Sequence, residues 1–252
     1  MGRLQKKDDK VMKLYVVGIG PGYINYLVPK AREIILDSDV IVGYNTYIEL
    51  IEELIIGKEI IQNGMKNEVE RCKVAVAEAK KGKKVTVISS GDAGIYGMAS
   101  LLYEITEPYP NIKIEVISGI TAATASASIL GAPLANDFAV ISLSDLLTPW
   151  EVIEKRLIAV AGGDMVVCLY NPMSHKRNDY LEKACNILLK VKAPQTHCGY
   201  VKNAFRDNSS HAICTLEELV KANVDMFTTV IIGNTSTKII NSKLVTTRGY
   251  RL

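Results

Sequence analysis

Apolar residues in this chain come in short β-branched runs, each followed by a stretch where they recur every three or four positions. Met12 to Val17, Val40-Ile41-Val42, Glu59–Ile61, Lys83–Ile88 and Lys113–Ile117 predict strands. Between them, Leu27, Val28, Ala31, Ile34 and Ile35 mark one helix face, with Pro29 in its first turn. Further helices are predicted near Thr46–Leu54, over Ser100–Ile105, and over 68–81, where Val69, Cys72, Val76 and Ala79 form the apolar stripe. This alternation predicts a mostly parallel sheet covered on both faces. The pattern breaks at Gly131–Asp137, which sets a boundary between domains at 13–130 and 131–252, after a tail at 1–12. The second half predicts strands at Phe138–Ser142, Met165–Tyr170, His197–Val201, His211–Thr215 and Thr229–Ile232, with helices at Pro149–Ala161, Arg177–Lys190 and Leu216–Ala222. No helix fits between His197–Val201 and His211–Thr215, so they form a hairpin and the second sheet is mixed. The fold class is α/β, in two α/β domains.

The stretch from Ser89 to Ala99 follows a predicted strand and holds three glycines within seven residues, Gly91, Gly94 and Gly97. Backbone without side chains lets a ligand touch the main chain, and ligands of open α/β sheets bind beyond strand carboxyl ends. Asp92, the one charge in this loop, either belongs to that site or caps the next helix. Gly18-Ile19-Gly20-Pro21-Gly22 invites a dinucleotide reading that the chain refuses. Tyr23 stands where G-x-G-x-x-G needs glycine, and Asp39 precedes the next strand instead of ending it. From Ser118 to Ser128, small residues predict a closely packed helix whose N-terminus offers free amides, with the Thr121 hydroxyl beside it. Polar loops after strands at Tyr170–Arg177, Lys202–Arg206 and Gly233–Ser236 point to an anionic ligand.

Composition narrows the classes. The net charge of +3 is too mild for a nucleic-acid partner, and Lys6, Lys7 and Lys10 read as a solvated tail. No apolar run approaches the roughly 18 residues of a membrane span, and the first ten residues lack the apolar core of a signal peptide. Five scattered cysteines without a C-x-x-C pair fit a reducing cytoplasm, and neither they nor the three histidines have metal-ligand spacing. No Ser-His-Asp order, paired carboxylates or Walker lysine appears. A ligand-binding regulator without chemistry is therefore open on the residues alone.

Taken together, Gly18–Gly22, Ser90-Gly91-Asp92-Ala93-Gly94-Ile95-Tyr96-Gly97 and Ser118-Gly119-Ile120-Thr121-Ala122 resemble, in order and spacing, the tetrapyrrole methylases, from about Lys13 to Leu252. Tyr170-Asn171-Pro172, Gly199–Ala204, Asp225–Asn234 and Arg248-Gly249-Tyr250 are similar to the precorrin-3B (cobalt-precorrin-3) C17-methyltransferase branch. Three positions depart from the common pattern: Ala93, Ser118 and Thr247 each stand where relatives often have proline. The resemblance implies S-adenosylmethionine in an interdomain cleft, a homodimer, and methylation at C17 of a precorrin with ring contraction. It places cofactor contacts at Pro21, Gly91, Asp92, Ile95, Thr121, Ala122, Asn171 and Ala204, with Tyr170, Thr228 and Thr229 nearby. The substrate's carboxylate arms call for cations, and Lys176, Arg177, Lys202, Arg206 and Arg248 are the candidates. His175 is the acid–base candidate, since its ordinary pKa lies near neutrality. Alternatives within the fold are another corrin carbon, uroporphyrinogen, or diphthamide on a translation factor.

Overall fold

A computed structural model describes residues 11–64, 67–174 and 177–251. The chain divides into two compact units, 1–121 and 122–252.

In the first unit, β1 (Met12–Gly18), β2 (Val40–Tyr44), β3 (Glu59–Asn63), β4 (Val85–Ser89) and β5 (Ile112–Ile117) form one sheet in the order β3-β2-β4-β1-β5. Every pairing is parallel. Alternate residues of the central strands feed opposite faces, as the pleat requires. Leu14, Val16, Val85 and Val87 pack under α3 (Glu68–Lys80) and α4 (Ala99–Thr106). Val17, Ile41 and Ile88 pack under α1 (Pro29–Asp37) and α2 (Asn45–Glu49). Pro29 takes the first helical position, where its missing N–H costs nothing. Two details differ from the pattern. Val69 is 50% exposed, and Ala75 takes its place in the α3 stripe. The predicted tail reaches too far, since Met12 already pairs with Ile112.

The second unit begins with α5 (Ala122–Leu130), which the sequence places before the domain boundary. Ala123, Ala127 and Leu130 pack on Cys168, Val201 and Ile231 of the second sheet, so small side chains bind the helix to the strands downstream of it. That sheet has the order β10-β9-β11-β8-β7, from β7 (Phe138–Ser142), β8 (Val166–Tyr170), β9 (His197–Lys202), β10 (Ser210–Thr215) and β11 (Thr228–Ile232). β7 and β8 are parallel and the rest antiparallel, with β9 and β10 forming the expected hairpin. α6 (Trp150–Gly162), α7 (Tyr180–Leu188) and α8 (Leu216–Leu219) cover the other face. The stretch read as a break supplies β6 (Gly131–Ala132), which pairs with β13 (Lys243–Thr246), itself paired to β12 (Thr237–Ile240).

Candidate active site

Because the first sheet is parallel, the loops after its strands share one edge. Three backbones close on each other there. A Cβ on Gly18 would lie 2.6 Å from the Gly91 carbonyl oxygen, and one on Gly119 would lie 2.1 Å from it. Gly20 (φ +76°) and Gly91 (φ +67°) exchange two backbone hydrogen bonds, Gly91 N–H to Gly20 O at 2.7 Å and Gly20 N–H to Gly91 O at 3.0 Å. These glycines therefore serve strand-end packing first, and the Gly91 amide is spent inside the protein. The exposed residues of the loop lie just downstream, at Gly94, Ile95 and Tyr96. A Cβ on Gly94 would meet only Asp92 Oδ1, at 3.3 Å.

Asp92 is not a helix cap, since α4 starts at Ala99 with no side-chain cap. Its Oδ1 accepts from Gly94 N–H at 2.8 Å, while Oδ2 accepts from the Ser118 hydroxyl at 2.6 Å and Gly119 N–H at 2.9 Å. The carboxylate thus ties the loop after β4 to the loop after β5. Partial burial pushes this carboxyl up, but Ser118 and the amides of Gly119, Gly94 and Ile95 outweigh it and hold it below the ordinary carboxylate range. Buried Pro21 and half-buried Thr121 lie on the same edge, after β1 and β5. Asp39 sits at the opposite edge and accepts from Lys84 N–H at 2.8 Å, which removes the ribose-binding role.

In the second unit, strand register brings Ser142, Tyr170, Lys202 and Thr228 to one edge. The Tyr170 hydroxyl accepts from Ala123 N–H at 2.7 Å, so it caps α5, and that amide is not free. Asn171 (φ +53°) donates to the Ser142 hydroxyl at 2.9 Å. Ala204 lies between Asn203 (φ +50°) and Phe205 (φ +54°). Left-handed non-glycine residues cost free energy and collect at functional sites, and this edge holds four of them with Asn208 (φ +58°) of the same hairpin turn. Thr228 and Thr229 are 3% and 6% exposed. The Thr228 hydroxyl is already committed, donating to Asp225 Oδ1 at 2.9 Å and accepting from Asp225 N–H at 3.1 Å.

The predicted cations fare unevenly. Arg177 is on this edge but held internally: it donates to the hydroxyls of Ser174 (3.1 Å) and Ser144 (2.7 Å) and pairs with Asp145 at 3.3 Å. Tyr180 donates to the same Asp145 at 2.6 Å and, with Arg177, keeps that carboxyl below its ordinary range. Lys202 pairs with Asp225 at 2.6 Å. Arg206 is half-buried on the same turn. Arg248 belongs elsewhere: Thr247 N–H donates to Ser236 O at 3.1 Å, beyond the far end of β11, which places Arg248 at the opposite edge of the sheet. The Gly233–Ser236 loop lies at that edge too, where buried Lys192 donates to Met165 O and Gly233 O at 3.1 Å each. His175 and Lys176 lie outside the described residues. Sequence reading missed Ser118 and Asp225 as organisers. Asp225 stands three residues before Thr228, a spacing that suits a side chain closing on its own backbone.

The family model of the tetrapyrrole (corrin/porphyrin) methylases matches residues 13–220. The chain belongs to this family. It is a methyltransferase whose methyl donor is S-adenosylmethionine. Gly94–Tyr96 fit such a donor, with little packed beside Gly94 and an exposed apolar side chain and ring for its adenosine, while the Gly94 and Ile95 amides stay with Asp92. The chain is 46% identical over 244 residues to the cobalt-factor III methyltransferase of Priestia megaterium, covering 95% of this chain and 45% of that protein. It is 44% identical to the probable cobalt-factor III C(17)-methyltransferase of Salmonella typhimurium, covering 95% of this chain and 100% of that one. The crystal structure of the methyltransferase CobJ superposes with a TM-score of 0.88 at 32% identity, covering 94% of this chain and 100% of that one. Among the described residues, no group of three or more His, Cys, Asp or Glu could hold a metal ion, and no helix is long and apolar enough to cross a membrane.

Proposed function

We propose that this chain methylates C17 of a cobalt-bearing tetrapyrrole at the factor III (precorrin-3) level, in cobalamin biosynthesis, and that contraction of the macrocycle accompanies the transfer. One observation carries this reading: the end-to-end likeness to a relative named as a C(17)-methyltransferase, at 44% identity over 95% of this chain and 100% of that one. Cobalt is written as part of the substrate because the relatives are named for cobalt-factor III. When bound, S-adenosylmethionine supplies an activated methyl for in-line displacement by an electron-rich ring carbon. Holding two reactants at near-attack distance can supply about 7–11 kcal/mol of such a barrier.

The chain's own part is therefore positioning. Pro21, Gly91, Asp92, Ile95, Thr121, Ala122, Tyr170, Asn171, Ala204, Thr228 and Thr229 are the proposed cofactor residues. Gly91, Asp92 and Thr228 act by shaping their loops, since their polar groups are spent on protein partners. Gly94 and Ile95, whose amides Asp92 holds, offer the exposed side of their loop to the donor. Lys176 and Arg206 take the substrate's carboxylates, and His175 moves the protons that contraction requires. We place the chain in the cytoplasm as a homodimer; its five free cysteines agree with a reducing compartment.

The test incubates the protein with S-adenosylmethionine and either cobalt-factor III or uroporphyrinogen, and reads products by mass, absorption and NMR. A single added methyl at C17 with a changed chromophore is the expected result. A methyl at C11 or C20, or turnover of uroporphyrinogen alone, overturns the assignment. Arg206→Ala should raise the tetrapyrrole KM about tenfold or more, as loss of a charged hydrogen bond costs about 1.5–3 kcal/mol, with donor affinity unchanged.

A further inference from the structure

We propose that Asp225 is a positioning residue for the transfer, acting through Lys202 and the turn that carries Ala204; this rests on the cofactor site described above. Lys202 ends β9 and Thr228 begins β11, and the two are register partners. The Asp225 carboxylate clasps both ends. Its Oδ2 receives the Lys202 ammonium at 2.6 Å, and its Oδ1 receives Phe227 N–H and the Thr228 hydroxyl at 2.9 Å each. The Phe227 carbonyl in turn accepts Asn203 N–H at 3.1 Å. Immediately after this clasp the chain enters a turn with Asn203 and Phe205 in the left-handed region. Strained backbone persists only where its surroundings over-determine it, and the clasp supplies that constraint at the strand end. Part-burial raises the Asp225 carboxyl, and Lys202, Thr228 and Phe227 more than offset it, so the clasp is charged at neutral pH. The same pairing neutralises Lys202, which takes the place of the substrate-binding role read from the sequence.

The experiment measures S-adenosylhomocysteine affinity by calorimetry for wild type, Asp225→Asn, Lys202→Met and the double variant, with thermal unfolding as a control. The probe is the bare nucleoside product, so the result does not depend on which tetrapyrrole is the substrate. The expected result is a loss of about tenfold in each single variant, no further loss in the double variant, and unfolding within a few degrees of wild type. With cobalt-factor III, kcat should fall while the tetrapyrrole KM holds. Wild-type affinity in either single variant overturns the proposal, as does a double variant whose loss is the product of the two. A raised tetrapyrrole KM in Lys202→Met with intact nucleoside affinity overturns it in favour of a substrate-binding lysine. Should Asp225→Asn fail to fold, Lys202→Met decides alone, because that side chain is 44% exposed and its replacement leaves the core intact.

Discussion

Three single positions in the glycine loops differ in what they are for. Gly119 has no room: its Cβ would sit 2.1 Å from the Gly91 oxygen, and that oxygen is backbone. Gly119→Ala should therefore destabilise by about 1–3 kcal/mol and abolish S-adenosylhomocysteine binding. Gly94 meets only a side-chain oxygen at 3.3 Å. Gly94→Ala should unfold like wild type, yet bind the nucleoside at least several-fold more weakly; unchanged affinity would remove Gly94 from the site. Asp92 gives a pH signature. Its folded pKa is depressed, so its contribution is full above the ordinary carboxylate value of about 3.9 and is lost as pH falls through the folded value. In urea titrations, Asp92→Asn should be weaker than wild type at pH 7, and the gap should close in acid. A gap that widened in acid would show that the carboxylate is not the stabilising form.

Helix α5 shows how an element acquires its place. Its alanines and serines confer little local preference for one partner, but small side chains allow close approach to β9 and β11. Its N-terminal amides need acceptors, and the Tyr170 hydroxyl at the end of β8 supplies one. Tyr170→Phe removes that acceptor while keeping the ring, so it should cost about 1 kcal/mol, the usual worth of a helix cap. For a chain of this size that lowers Tm by about 2–4 °C. A Tm equal to that of wild type would mean that water replaces the hydroxyl at no cost.

At the scale of the whole molecule, the five cysteines are spread through both units, and Cys72, Cys168, Cys185 and Cys198 are buried. Burial pushes the thiols of Cys72, Cys168 and Cys185 up to about 12, Cys214 to about 11, and Cys198 well above the ordinary value. Thiolate is the reactive form, so the folded protein should resist iodoacetamide at pH 7 and take it up only on denaturation. Rapid labelling of native protein, followed by mass spectrometry, would contradict the packing of both cores.

The sequence by itself determined the alternation of strands and helices, the parallel first sheet and the mixed second one. These features come from local periodicity and from connection length: a helix-sized gap permits a parallel return, and the short gap between β9 and β10 does not. It also marked the loops that form the candidate site, because glycine after a strand is legible locally. Only the tertiary structure decided what those glycines touch, since Gly18, Gly91 and Gly119 meet across three strand ends far apart in the chain. The same holds for β6, too short to be read alone and fixed by β13, with Leu244 opposite Gly131. It holds most for charge. Arg177, Lys202 and Arg248 read alike in the sequence, but two are neutralised by aspartates and the third lies at the wrong edge. A charge's role depends on its nearest counter-charge, and pairing across a fold leaves no periodic trace along the chain.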